Sequence, residues 1–140
     1  MAHIRFLTLS GADISSGSIN NLFPDAASGG AVSIVYVQAL NNTTGTLTAQ
    51  RAYLSIDSGG AAVSIAVADS GLARDVGYDY GTSPTPPGSW ASPTSYATGL
   101  TVPDMATGKK CLLAIRRDPT GAAVAYPERN SLLLTSTGPA

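Results

Sequence analysis

Three strand-like runs follow one another between Ala31 and Ala68. They are Val32-Ser33-Ile34-Val35-Tyr36-Val37, Arg51-Ala52-Tyr53-Leu54-Ser55-Ile56-Asp57 and Ala62-Val63-Ser64-Ile65-Ala66-Val67. In the second, Ala52, Leu54 and Ile56 share one side, and Arg51, Tyr53, Ser55 and Asp57 the other. In the third, Val63, Ile65 and Val67 oppose Ala62, Ser64, Ala66 and Ala68. This is the pattern of antiparallel strands with one face buried. Asn41-Asn42-Thr43-Thr44-Gly45 and Ser58-Gly59-Gly60, which separate the runs, are turn chemistry. The stretch is expected to form the core of a β-sandwich. Its small outward positions, around Ser55, Ser64 and Ala66, are expected to lie close against a neighbour.

The remaining chain continues in the same style. Ile4 to Ser10 reads as a first strand or an extended arm, and Ser18 to Asp25 as one helical turn or a short strand stopped at Pro24. Asp69 to Asp75 reads as a turn around Gly71. Gly77 to Pro93 is dense in Gly, Pro, Ser and Thr; it is either functional or a hairpin hidden by its prolines. Tyr96 to Val102, Lys110 to Arg117 and Ser131 to Ser136 read as strands, with Asp118-Pro119-Thr120-Gly121 as a turn after the second. Seven to nine short strands with regular turn signals predict an all-β, antiparallel, jelly-roll-like sandwich with little or no helix. The expected organisation is one domain over residues 1–140, with 1–17 as an extended N-terminal arm and 137–140 as a frayed tail.

Composition narrows the function classes. Of the 140 residues 44% are hydrophobic, enough for a core, but only 12% are charged, about half the usual globular share. A net charge of -1 puts little repulsion between copies, so self-association meets little resistance. Eight basic residues against nine acidic ones supply no basic face, so no nucleic-acid partner is expected. No apolar stretch reaches the roughly 18–20 residues of a membrane span, and no signal peptide is apparent. The lone Cys111, inside Cys111-Leu112-Leu113-Ala114-Ile115, reads as a buried small hydrophobe in a chain made in a reducing cytosol.

Catalytic and metal chemistry find little to use. His3 is the only histidine and lies near the N-terminus, which disfavours a hydrolytic triad and removes histidine-pair zinc sites. The acidic residues are scattered singly, with Asp75 and Asp79 the nearest to a pair, and no calcium-loop or glycosidase spacing stands out. Neither Ser28-Gly29-Gly30 nor Ser58-Gly59-Gly60 is a phosphate loop, and Pro84 to Pro87 reads as a rigid loop. The chain is therefore read as a non-enzyme without a cofactor.

Two surface features remain as candidate interfaces. Tyr78, Tyr80, Trp90 and Tyr96 sit along the proline-rich excursion, to stack on sugar rings or anchor a protein, or to cover the open end of the sandwich. Lys109, Lys110, Arg116 and Arg117 hold half of the positive charge and flank one strand, to dock an acidic partner or to keep an edge strand soluble. Ile4, Arg5 and Phe6 join them as an N-terminal docking arm.

The order of several short patterns resembles a known family. Asn20-Asn21-Leu22-Phe23-Pro24-Asp25, Ile34-Val35-Tyr36-Val37, Thr46-Leu47, Ser92-Pro93-Thr94, Gly99-Leu100, Pro103-Asp104, Gly108-Lys109, Ile115-Arg116-Arg117 and Asn130-Ser131-Leu132 follow one another. Together they resemble the small virion structural proteins of tailed bacteriophages, most of all the jelly-roll cement or decoration proteins of the phage head. The resemblance implies a non-enzymatic protein on the outer surface of an HK97-type capsid, assembled in the host cytoplasm. Its implied partners are the major capsid protein and further copies of itself, as dimer or trimer. The alternative is a carbohydrate-binding or host-recognition module of a phage tail or fibre, which rests on the aromatic excursion.

Overall fold

The continuous apolar run from Cys111 to Ile115 lies in the strand around which the fold is arranged. The computed structural model describes residues 4–12, 32–56, 63–93, 96–117 and 130–136. One sheet runs in the order β1 (Ile4–Thr8), β2 (Ser33–Asn41), β7 (Lys109–Arg117), β4 (Val63–Val67). The two-residue β5 (Arg74–Asp75) continues the line of β4, because β4 pairs with residues 113–117 of β7 and β5 with residues 109–110. The other sheet runs β6 (Leu100–Thr101), β3 (Gln50–Ile56), β8 (Asn130–Ser136). Every pairing is antiparallel. The all-β antiparallel sandwich anticipated from the period-two runs is present. Leaving aside the two-residue strands, the order 1-2-7-4 facing 3-8 is that of strands A-B-E-D and C-F in immunoglobulin-like sandwiches. A jelly roll is built from two Greek keys of eight strands; the described pairings establish the sandwich, with the last described strand paired to β3.

Between the sheets lies one core. Cys111, Leu113 and Ile115 of β7 meet Phe6, Val37, Ala39 and Ile65 from the same sheet, with Ala52, Val102 and Met105 closing from the other side. Leu113 and Ile115 are fully buried, and each such side chain stabilises the fold by about 1.5–3 kcal/mol. The turn after β2 is tied into this core by Asn41. Its Nδ2 donates to the Gly45 and Met105 carbonyls at 2.9 and 2.7 Å, and its Oδ1 accepts from the Thr43 amide at 2.8 Å and the Thr43 hydroxyl at 2.7 Å. A buried amide with both ends satisfied fixes the turn's geometry.

Several expectations change. Phe6, assigned to an outward arm, is 5% exposed and belongs to the core, because Ile4–Thr8 pairs along the whole of β1 with β2. Arg5 lies opposite Leu40 in that ladder. Tyr96 to Val102 is mostly turn; only Leu100–Thr101 is strand. The excursion forms no hairpin and touches the sheet ladder only through the Ile65–Ala91 bridge. The segment 18–25, the turn 118–121 and the tail 137–140 lie outside the described residues.

Candidate functional site

The second face of the larger sheet would be bare without the excursion 77–93. Leu112, Ala114 and Ala68 on that face are buried beneath Tyr80 and Trp90, with Leu9, Ile34 and Tyr36 packed around them. This explains the unbroken apolar run in β7: its strand is covered on both faces, so both sets of alternate residues are apolar. It also corrects the reading of β4. Ala66 and Ala68, expected on an open outward face, are 4% and 2% exposed because the excursion lies over them.

Polar contacts hold the excursion down. Lys110 is 4% exposed, and its Nζ donates to Gln38 Oε1 and to the Tyr78 carbonyl, both at 2.6 Å. The same ammonium lies 4.9 Å from the centre of the Tyr80 ring, an attractive cation–π geometry. Gln38 passes the contact on, its Nε2 donating to the Thr8 carbonyl at 2.7 Å. At the far side of the face the Tyr36 hydroxyl donates to the Pro84 carbonyl at 3.0 Å. Burial lowers the Lys110 pKa from the usual lysine value, with Asp79 pulling weakly the other way. Burial likewise raises the Tyr36 and Tyr80 hydroxyls above the usual tyrosine value.

A second anchor stands where β4 passes into β5. Asp69–Gly71 forms a single 3-10 turn in which Asp69 and Ser70 take φ of 54°, and Arg74 closes it by donating to Asp69 from Nε at 2.8 Å and from its NH2 group at 3.2 Å. The fork pairs two oxygens at once. It holds the Asp69 carboxyl below the usual aspartate range. The Arg74 guanidinium also lies 4.4 Å from the Tyr78 ring centre, and Tyr78 meets Tyr80 edge to face at 5.1 Å. A continuous line thus runs from Asp69 through Arg74, Tyr78 and Tyr80 to Lys110 and Gln38.

Between the excursion and β4 a cleft of about 1020 Å³ remains, lined by Ala66, Ala68 and Leu112 below and by Tyr78, Tyr80 and Trp90 on the sides. On the β4 edge Ile65 exchanges both main-chain hydrogen bonds with Ala91, at 2.7 and 3.0 Å. By the alternation of an antiparallel edge, Val67 aims its N–H and C=O the same way, and it lines the cleft.

The expected site residues are therefore divided. Tyr78, Tyr80 and Trp90 come together at the cleft; Tyr78 is 40% exposed and the other two are half-buried. Tyr96 stands apart, its hydroxyl donating to the Ala49 carbonyl at 2.9 Å and its ring 4.8 Å from the Arg51 guanidinium. The four cations form no surface cluster, and β7 is a central strand, not the edge that one of the two readings supposed. Lys110 and Arg117 are buried, Lys109 pairs with Asp75, and Arg116 is half-buried between Ile34 and Ser64. Consecutive strand residues face opposite sides, so adjacent Lys109 and Lys110 take opposite roles. Cys111 is fully buried, and burial pushes its thiol up to about 12. Gln38, Asp69 and Arg74 were not singled out from the sequence. The spacing of Asp69 and Arg74 across Gly71 was the available signal, whereas Gln38 carries none.

Among the described residues no three His, Cys, Asp or Glu side chains gather as a metal site. No family model, curated protein or solved structure matches this chain.

Proposed function

We propose that this chain is a non-enzymatic virion structural protein. It binds the outer surface of an HK97-type phage capsid and cements neighbouring capsid proteins, acting as a dimer or trimer. Besides the resemblance, the observation that carries this reading is the main-chain edge of β8 that no described strand covers. Its seven residues pair with β3 along one side, and among the described residues no strand lies on the other. Such an edge can extend the sheet of a neighbouring protein through main-chain hydrogen bonds, independent of any charged or reactive group. Much of the charge around the larger sheet is paired within the molecule (Asp69 with Arg74, Asp75 with Lys109). Contacts of this type, individually weak, hold firmly when repeated over a lattice.

The test is sedimentation of the purified chain with expanded, DNA-free capsid shells. Saturable co-sedimentation in fixed ratio to the capsid protein is expected. Absence of the chain from the shell pellet overturns the reading.

A further inference from the structure

We propose that the cleft between the excursion and the β4 edge binds a short, neutral saccharide. This does not rest on the capsid reading and can fail or hold separately from it. The volume, about 1020 Å³, stands at the upper end of the roughly 300–1,000 Å³ typical of small-molecule sites. At its base lie Ala66, Ala68 and Leu112, almost wholly covered, so the surface a ligand meets is that of two half-buried aromatic rings, Tyr80 and Trp90, in its walls. The C–H faces of a pyranose fit such rings, whose π faces carry partial negative charge.

The rim selects among apolar-faced ligands. Ser70, Ser83, Thr85, Ser89 and Thr101 line the cleft and are exposed. Their hydroxyls make no hydrogen bond within the described protein, and Val67 adds a main-chain N–H and C=O from the β4 edge. A purely apolar ligand would cover these groups without pairing them, at about 1–3 kcal/mol for each group left unsatisfied. A ring bearing hydroxyls can pair them.

Charge excludes ionic ligands. Among the described residues Asp69 is the only charged one lining the cleft, and both of its oxygens are bonded to Arg74. The Lys110 ammonium nearby is taken up by Gln38 and the Tyr78 carbonyl. Among the described residues no charge at the cleft is left to compensate an anion or a cation as it leaves water. An extended peptide is disfavoured at the strand edge in the cleft: Ile65 is already paired with Ala91, so of the edge residues lining the cleft Val67 alone is left to start a ladder.

Trp90 is the only tryptophan of the chain and stands in the cleft wall, so its fluorescence reads the site without a label. The full chain is titrated with neutral tri- and tetrasaccharides: α- and β-glucans, mannans, galactans and N-acetylglucosamine oligomers. Sialyllactose, an anilinonaphthalene dye and an extended proline-rich hexapeptide serve as anionic, apolar and peptide probes. At least one neutral saccharide is expected to shift the Trp90 emission saturably, with a millimolar or tighter Kd. Ala66→Leu, which fills the floor, is expected to weaken that binding tenfold or more. Ser89→Ala, which removes one exposed rim hydroxyl and leaves the packing untouched, is expected to weaken it severalfold. The proposal is overturned if no neutral saccharide gives a saturable shift, if Ser89→Ala and Ala66→Leu both leave the affinity unchanged, or if only the anionic, apolar or peptide probe binds.

Discussion

Lys110 Nζ donates to the main-chain carbonyl of Tyr78 at 2.6 Å. This contact joins the most buried cation of the outer sheet face to the start of the aromatic excursion. A lysine in the central strand thereby reaches up to the loop that covers it. Its remaining contacts, to Gln38 and the Tyr80 ring, keep the ammonium solvated by protein in place of water.

Replacing Lys110 by Met is expected to destabilise the protein by about 1–3 kcal/mol, because the buried Gln38 oxygen and the part-buried Tyr78 carbonyl lose their donor. The Trp90 emission should move to the red as the excursion loosens. The neighbouring Lys109→Met removes only an exposed pair with Asp75 and should cost much less than Lys110→Met. Urea denaturation of the two variants compares them directly. Equal effects would show that Lys110 does not secure the excursion.

Asp69 links acid stability to the turn between β4 and β5. Arg74 depresses its folded pKa, so the stabilisation is present above the unfolded value of about 3.9 and is lost as pH falls through the folded value below it. Wild-type protein should therefore exceed Asp69→Asn in urea midpoint at neutral pH. The difference should disappear toward about pH 2. An advantage that persists in acid would place its source outside the ion pair.

Gly99 lies where the chain enters β6 close against β3. A Cβ there would stand 3.0 Å from the Arg51 Cβ, 3.2 Å from the Ala52 carbonyl oxygen and 3.2 Å from the Tyr96 carbonyl oxygen. Two of these are main-chain atoms, so the conflict can be relieved only by moving backbone. Gly99→Ala should lower stability by about 1–3 kcal/mol, measured by thermal or urea unfolding. Gly45→Ala, with open space around it, is the matched control and should change little.

The Cys111 thiol is fully buried and pushed up to about 12. The thiolate is the reactive species, so a thiol reagent such as DTNB at about pH 8 should leave the native protein unmodified. Reaction should appear with the unfolding transition in urea. Rapid labelling of the native state would mean that β7 is more accessible than its burial implies.

The alternation in Arg51–Asp57 and Ala62–Val67 revealed strands β3 and β4, and Lys110 to Arg117 and Ser131 to Ser136 revealed β7 and β8, because side-chain period is a local property of the backbone. Turn residues such as Asn41 to Gly45 were legible for the same reason. The two-residue β5 was not, and β6 was read too long, as Tyr96 to Val102, since a pairing that short leaves no period. Tyr78, Tyr80 and Trp90 were recognised as a set, with Tyr96 counted among them although it packs on Arg51 instead. Their partners Gln38, Asp69 and Arg74 were missed, because nothing local distinguishes a glutamine that receives a buried lysine from one that faces water.

The sequence alone determined that this chain is an antiparallel β protein with a small, weakly charged exterior, since strand periodicity and composition are written residue by residue. Only the tertiary structure decided what those faces meet. Period-two spacing separates two sides of a strand without saying what covers either, and long-range packing supplies the answer. The excursion 77–93 folded over Ala66, Ala68 and Leu112 turned an outward face into an interior. It also made Lys110, which as sequence belonged to a surface cation cluster, into a buried anchor.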